Sequence, residues 1–126
     1  MSNALEQRLS ALKIANRVRI AGKQLKDELA SLDKVAGRRR AAELVADWHS
    51  LEPRPALSAQ DLLRAVHRVG PSSIGRYCRG SRVNPQKRVS DFTREQRLLL
   101  VRLLENDAAR IEGEQSQRAK GRRYGS

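Results

Sequence analysis

Leu62-Leu63-Arg64-Ala65-Val66-His67-Arg68-Val69-Gly70-Pro71-Ser72-Ser73-Ile74 is the stretch on which the reading of this chain turns. Leu62, Leu63 and Val66 form the inward side of a helix that ends at Val69-Gly70. Pro71 suits the first position of a following helix, where its missing N–H is not needed. Ser72 and Ser73 then place backbone N–H groups and hydroxyls at a helix N-terminus, which attracts anions. Gly70 permits a turn without a Cβ clash and lets a phosphate come close.

The charge around this turn has one sign. From Leu62 to Ser90 there is no acidic residue, while Arg64, Arg68, Arg76, Arg79, Arg82, Lys87 and Arg88 all fall in the same stretch. The whole chain of 126 residues carries a formal net charge of +12. Its isoelectric point is about 11.2. Folding does not require that imbalance. It bears on partners, with nucleic acid first and an anionic membrane surface second, and since the apolar faces look core-like and lack interfacial aromatics no membrane partner is expected. Of the 26 cationic residues 20 are Arg, whose planar fork matches phosphate oxygens. Aromatics make up 3% of the chain, too few for a base-stacking platform.

Catalytic and metal chemistry find little footing. Cys78 is the single cysteine, so neither an intrachain disulfide nor a cysteine-based metal site can form. Cys78 and Trp48 read as core residues. His49 and His67 are the only histidines, and no carboxylate cluster stands near His67. The expectation is a protein without catalytic residues, metal, cofactor or small-molecule substrate. The N-terminus has no signal-peptide pattern and no segment has the length of a membrane span, so the expected location is cytoplasmic.

Outward from the central turn, the sequence reads as helix throughout. A long first helix is expected from about Ala4 to Leu32, within an N-terminal unit of residues 1–36. Its apolar stripe comprises Ile14, Val18, Ala21, Leu25, Leu29 and Leu32. Arg19, Lys23 and Lys26 fall on the opposite side, where a phosphate backbone and plain solvent are equally good readings. Leu5, Leu9 and Leu12 lie half a turn out of phase with the core stripe, which leaves them to fray or to meet a partner. Gly37 reads as the breaker, and Arg38-Arg39-Arg40 as the first turn of a second helix carrying Ala41, Leu44, Val45 and Trp48. Cations there oppose the helix dipole, which an external anion would relieve, although a plain exposed turn is the safer reading.

Glu52-Pro53-Arg54-Pro55 is a rigid linker. Ser58 caps the next helix with Asp61 three residues on. Ile74, Tyr77 and Cys78 form the buried side of the helix after Gly70, and Gly80 closes it. Asn84-Pro85 marks a second turn. Thr93 and Gln96 make a capping box ahead of a last helix bearing Leu98, Val101, Leu104, Ala108 and Ile111. The helical core therefore spans residues 38–112. Residues 113–126, with Arg118, Lys120, Arg122 and Arg123, read as a disordered basic tail.

The segment Leu63 to Ile74 resembles a helix-hairpin-helix, whose pattern has a further glycine at the place of Arg68. Residues 57–104 resemble the helix-two-turns-helix domain of the actinobacterial type of integration host factor. The likeness rests on Leu57-Ser58-Ala59, Val69-Gly70 and Val83-Asn84-Pro85-Gln86-Lys87-Arg88-Val89, with Leu25-Lys26-Asp27-Glu28-Leu29 upstream. It implies an all-α fold, a long N-terminal helix plus a small helical core containing the two-turn motif. It also implies sequence-tolerant binding and bending of double-stranded DNA in the nucleoid, and assistance to a recombinase or integrase. Ser90 and Asp91 depart from the family's more basic second turn.

The expected DNA-binding set is Arg64, Arg68, Val69, Gly70, Pro71, Ser72, Ser73, Arg82, Lys87 and Arg88, joined by Arg19, Lys23 and Lys26. Phosphate contacts by such a set position a duplex without reading its bases. Two alternatives stay open: a structured-RNA binder of ribosomal helix-two-turns-helix type, and a module whose N-terminal helix recruits a recombinase. Repair glycosylases share the motif, but Ser2 and the lone Cys78 lack their catalytic proline and zinc hairpin.

Overall fold

Five α-helices carry the architecture: α1 (Ser2–Ser31), α2 (Lys34–Ala46), α3 (Ala59–Ala65), α4 (Pro71–Ser81) and α5 (Arg94–Tyr124). Single 3-10 turns follow α2, at Trp48–Ser50, and precede α5, at Val89–Asp91. The structure is a computed structural model that describes residues 2–124, with side chains from 3 to 119. No strand occurs among these residues, so the all-α expectation holds. No helix among them is long and apolar enough to cross a membrane.

α2 and α5 form the central pair, running antiparallel. Arg97 near the start of α5 donates to the carbonyl of Val45 near the end of α2. At the other end Arg39 meets Glu112 at 2.7 Å. Between them Leu44, Val45, Leu100 and Leu104 are buried with Trp48. Val35 packs with Ala108 and Ile111. Leu98, expected in this stripe, is 57% exposed, whereas Leu100 is 1% exposed. The inward line of α5 starts at Leu100 and runs through Leu104, Ala108 and Ile111, steps of four, four and three that keep one face. Leu98 lies two residues, about 200°, off that line.

α1 packs against α2 and α3 through its C-terminal half alone. Leu25 and Leu29 are buried, and Arg40 of α2 holds Glu28 at 2.7 Å. From Asn3 to Arg17 every residue is exposed. Ile14, assigned to the core stripe on periodicity, is 60% exposed. Leu57 and Pro55 approach α1 at Gly22, and Ile14 lies two helical turns short of that contact.

The break after α1 is made by Asp33, not by Gly37. Asp33 Oδ1 accepts from the N–H groups of Val35 and Ala36 at 2.9 and 2.8 Å, which caps α2 at its N-terminus. Gly37 lies inside α2, where a Cβ would stand 3.2 Å from Val66 Cγ1. Its smallness serves close packing. The tribasic run consequently sits beyond the first turn and has internal partners. Arg38 is buried, donating to Lys34 O at 2.8 Å and to the Tyr77 hydroxyl at 3.1 Å. Arg40 pairs with Glu43 as well as Glu28. These carboxylates and carbonyls take the place of the external anion that the sequence reading invoked.

α5 also continues past its expected end. Gly113 takes helical geometry with nothing near its Cβ position, and Arg110 pairs with Glu114 at 3.1 Å across it. A glycine inside a helix costs only about 1 kcal/mol relative to alanine, too little to stop a run of good helix formers. Residues 113–124, expected to be disordered, are thus helical here, with Glu112 to Ala119 exposed. Residues 125–126 of that tail lie outside the described residues.

Candidate nucleic-acid interface

Ser58 caps α3 as expected, its Oγ accepting from the N–H of Asp61 at 3.1 Å. Leu62, Leu63 and Val66 are buried and anchor the helix. The chain then reverses through two short bonds, Val66 N–H to Leu63 O and Val69 N–H to Val66 O, both 3.2 Å. Val69 turns inward and is buried. Arg68 carries the left-handed conformation of the reversal, with φ 67°. Gly70, to which the turn was assigned, is extended at φ −91° and ψ −179°. It is the N-cap of α4, and an N-cap takes extended geometry, so the reversal has to be completed earlier.

Gly70 nevertheless faces open space, with nothing within 4 Å of a Cβ placed there. Pro71 and Ser72 are exposed and Ser73 is half-buried. No side chain caps α4. The first N–H to be taken inside the helix is that of Ile74, by Gly70 O at 3.0 Å. The N–H groups of Ser72 and Ser73 therefore point outward from the end of an 11-residue helix, with the positive end of its dipole behind them.

α3 lies beside α1 and runs in the same direction. Leu57 contacts α1 at Gly22, and residues 64–70 line one surface groove with Ala30. A second groove, nearer the start of α3, is lined by Arg19, Lys23 and Lys26 with Leu57 and Asp61. Residues 19, 23, 26 and 30 follow steps of four, three and four, hence one line along α1. The line of Arg19, Lys23 and Lys26 consequently leads into the groove that holds Arg64, Arg68 and Gly70. These five cations are exposed, and none forms a salt bridge among the described residues. Asp61 is a carboxylate within this seam, exposed at the start of α3.

The second turn stands elsewhere. Asn84 closes it, its carbonyl accepting from Lys87 N–H and its Oδ1 from Gln86 N–H, both at 2.9 Å. Ala59 N–H and Gln60 N–H donate to the carbonyls of Lys87 and Pro85, again at 2.9 Å. Ser58 and Arg88 form an isolated antiparallel bridge. These bonds fasten the turn to the start of α3. Gly70 lies beyond the other end of that seven-residue helix, roughly 10 Å along its axis. Lys87 and Arg88 therefore do not surround Gly70, as the sequence reading had them.

Lys87 is also half-buried, its Nζ donating to Gln96 Oε1 at 2.9 Å. The capping box of Thr93 and Gln96 forms as expected, with bonds of 3.0 and 3.1 Å. Gln96 Nε2 additionally donates to Arg82 O at 2.8 Å. Arg82 is exposed and left-handed at φ 59°, and it terminates α4. Gly80, expected to close that helix, sits inside its last turn, where a Cβ would lie 2.7 Å from Leu103 Cδ1. Its role is close approach of α4 to α5.

Arg76 is withdrawn from the basic face. Its guanidinium binds Asp107 and lies over the Tyr77 ring, 4.9 Å from the centroid. Tyr77 donates to Asp107 Oδ2 at 2.6 Å, and Arg38 donates to Tyr77. Burial opposes ionisation of Asp107, but the hydrogen bonds from Arg76 and Tyr77, with the charges of Arg76 and Arg110, outweigh it and lower its pKa. Burial raises the Tyr77 hydroxyl, and its bond to Asp107 adds to that effect. Arg79, by contrast, is exposed on α4 without a carboxylate partner among the described residues. The acid-free run marked both residues alike; α5 separates them, supplying Asp107 to Arg76.

Comparison of the chain with protein-family models, with curated proteins and with solved structures finds no match.

Proposed function

We propose that this chain binds double-stranded DNA through the seam between α1 and the α3–α4 turn, with little dependence on base sequence. The observation that carries this reading is the shared line of Arg19, Lys23 and Lys26 with Arg64 and Arg68, beside the uncapped N-terminus of α4. Five cations without carboxylate partners have no internal use. An approaching phosphate strand supplies the missing charge, and the N–H groups of Ser72 and Ser73 supply directional bonds to it.

The resemblance of residues 57–104 to the actinobacterial type of integration host factor points the same way. In this reading the protein is non-enzymatic, works in the cytoplasm on nucleoid DNA, and bends the duplex it holds. Assistance to a recombinase or integrase would follow from that bend. Bending requires contact at more than one place along the duplex. Arg82 and Arg88, at the far end of α3, provide a second point of positive charge.

A bending assay on end-labelled linear duplexes tests this reading. End-to-end transfer efficiency should rise with protein concentration to a plateau that is similar on unrelated sequences. Binding to one sequence alone, or equal binding to a neutral polymer, would remove it.

A further inference from the structure

The N-terminal half of α1 carries a pattern that the DNA reading does not use. Leu5, Leu9, Leu12, Asn16, Arg19, Lys23, Lys26 and Ala30 are separated by alternating steps of four and three. That is a single seam of coiled-coil type running the length of the helix. Its C-terminal half is basic and adjoins α3. Its N-terminal half is apolar, and Leu5, Leu9 and Leu12 are 62%, 50% and 60% exposed. Residues 3–17 form about 22 Å of helix along which every side chain is exposed, although helices in proteins draw most of their stability from packing.

We propose that this arm pairs with the same arm of a second copy, antiparallel, through Leu5, Leu9 and Leu12. The complementary charges of Glu6 and Lys13 argue for a second copy as the occupant, and the basic half of the seam sets the direction. A parallel pair would stack Arg19, Lys23 and Lys26 on their own counterparts along the seam. In an antiparallel pair with Leu9 against Leu12 of the second copy, Leu5 faces Asn16, Arg19 stands level with the first turn of that copy's helix, and Lys23 and Lys26 are kept away from their own counterparts. The same register brings Glu6 near Lys13 of the second copy on the flank of the seam, twice by symmetry. The helix dipoles then oppose as well.

The two arms bury on the order of 1,000 Å² in total, at the small end of specific interfaces, so the dimer is reversible. Each copy carries +12, so bulk repulsion opposes pairing and salt screens it. Dimerisation accordingly strengthens with salt, opposite to a phosphate contact. This proposal does not depend on DNA binding.

Sedimentation equilibrium of the full chain over a concentration series, at 0.1 and 0.5 M salt, tests it. The expected result is a monomer–dimer equilibrium whose association constant rises several-fold at the higher salt. Leu9→Glu with Leu12→Glu should leave a monomer that melts like the parent at concentrations where the parent is itself monomeric, since neither side chain is buried within one chain. Glu6→Lys should weaken pairing, and adding Lys13→Glu should restore it. An equimolar mixture of Leu9→Cys and Leu12→Cys proteins should oxidise mainly to the mixed disulfide. A monomer at every concentration and salt would overturn the proposal, as would a dimer indifferent to the leucine changes. So would a predominance of the two symmetric disulfides, which marks a parallel pair. If the leucine changes instead weaken DNA binding of a monomeric chain, the arm serves the duplex and the proposal is lost.

Discussion

Replacing Arg68 with glycine should make the protein more stable and a poorer DNA binder at once. Arg68 is exposed, makes no salt bridge among the described residues, and holds φ at 67°. A left-handed conformation costs a residue with a Cβ about 1–2 kcal/mol. Glycine removes that cost but adds about 0.4–1 kcal/mol of backbone entropy to the unfolded chain. The net gain is roughly 0.5–1 kcal/mol, which for a chain of this size raises the melting temperature by about 2–4 °C. Loss of one phosphate contact should lower affinity about tenfold near 0.1 M salt, and reduce the salt slope by about 0.9. Arg68→Ala separates the two effects, because it loses the charge and keeps the left-handed Cβ. It should bind as poorly as the glycine variant without the thermal gain. Thermal melts and fluorescence anisotropy on one duplex measure both quantities. A glycine variant that melts lower, or one that binds like the parent, would refute the reasoning.

Three further expectations use other parts of the molecule. Lys23→Glu with Lys26→Glu should weaken binding by a similar factor on unrelated duplexes; a loss confined to one sequence would mean that α1 reads bases. Asp107→Asn should destabilise the fold by about 2–3 kcal/mol, because it breaks the Arg76 pair and leaves Tyr77 with a poorer acceptor. The folded-state pKa of Asp107 is lowered, so its contribution is present above the unfolded value near 4 and is lost as pH falls through the folded one. The difference in melting temperature between parent and Asp107→Asn should therefore shrink on acidification below about pH 4; a constant difference down to pH 2 would contradict the assignment. Structured RNA of equal length should compete poorly for a labelled duplex, and RNA that displaces it at equal concentration would favour the ribosomal type of partner.

The helical class could be read from the sequence because the signals were local. Ser58, Thr93 with Gln96, and the Leu44-Val45 stripe each act within one or two helical turns, and the structure has them as read, while Trp48 is buried as expected but from the 3-10 turn after α2. Asp33 was missed because Gly37 looked the stronger breaker; an acidic residue two to three positions ahead of free N–H groups was the signal available. Glycines misled in general. Gly37 and Gly80 are small for packing against Val66 and Leu103, contacts remote in sequence that no local pattern announces. The left-handed positions fell instead on Arg68 and Arg82.

Of the expected contact residues, those within one turn were grouped correctly and those from different turns were not. Gly70, Pro71, Ser72 and Ser73 stand together at the start of α4. Lys87 and Arg88 are drawn to the other end of α3 by backbone bonds to Ala59 and Gln60, which only the folded chain reveals. The alignment of α1 with α3 was likewise invisible, since it is set by the packing of Leu57 and Pro55 on α1 at Gly22, a contact remote in sequence.

The central claim is that unpaired cations along one seam hold phosphates. Its most direct test is the affinity for a short duplex measured from 50 to 200 mM salt. With five contacts from Arg19, Lys23, Lys26, Arg64 and Arg68, log affinity should fall against log salt with a slope of about −4.5, a loss of roughly 500-fold across that range. A slope near zero would contradict the account.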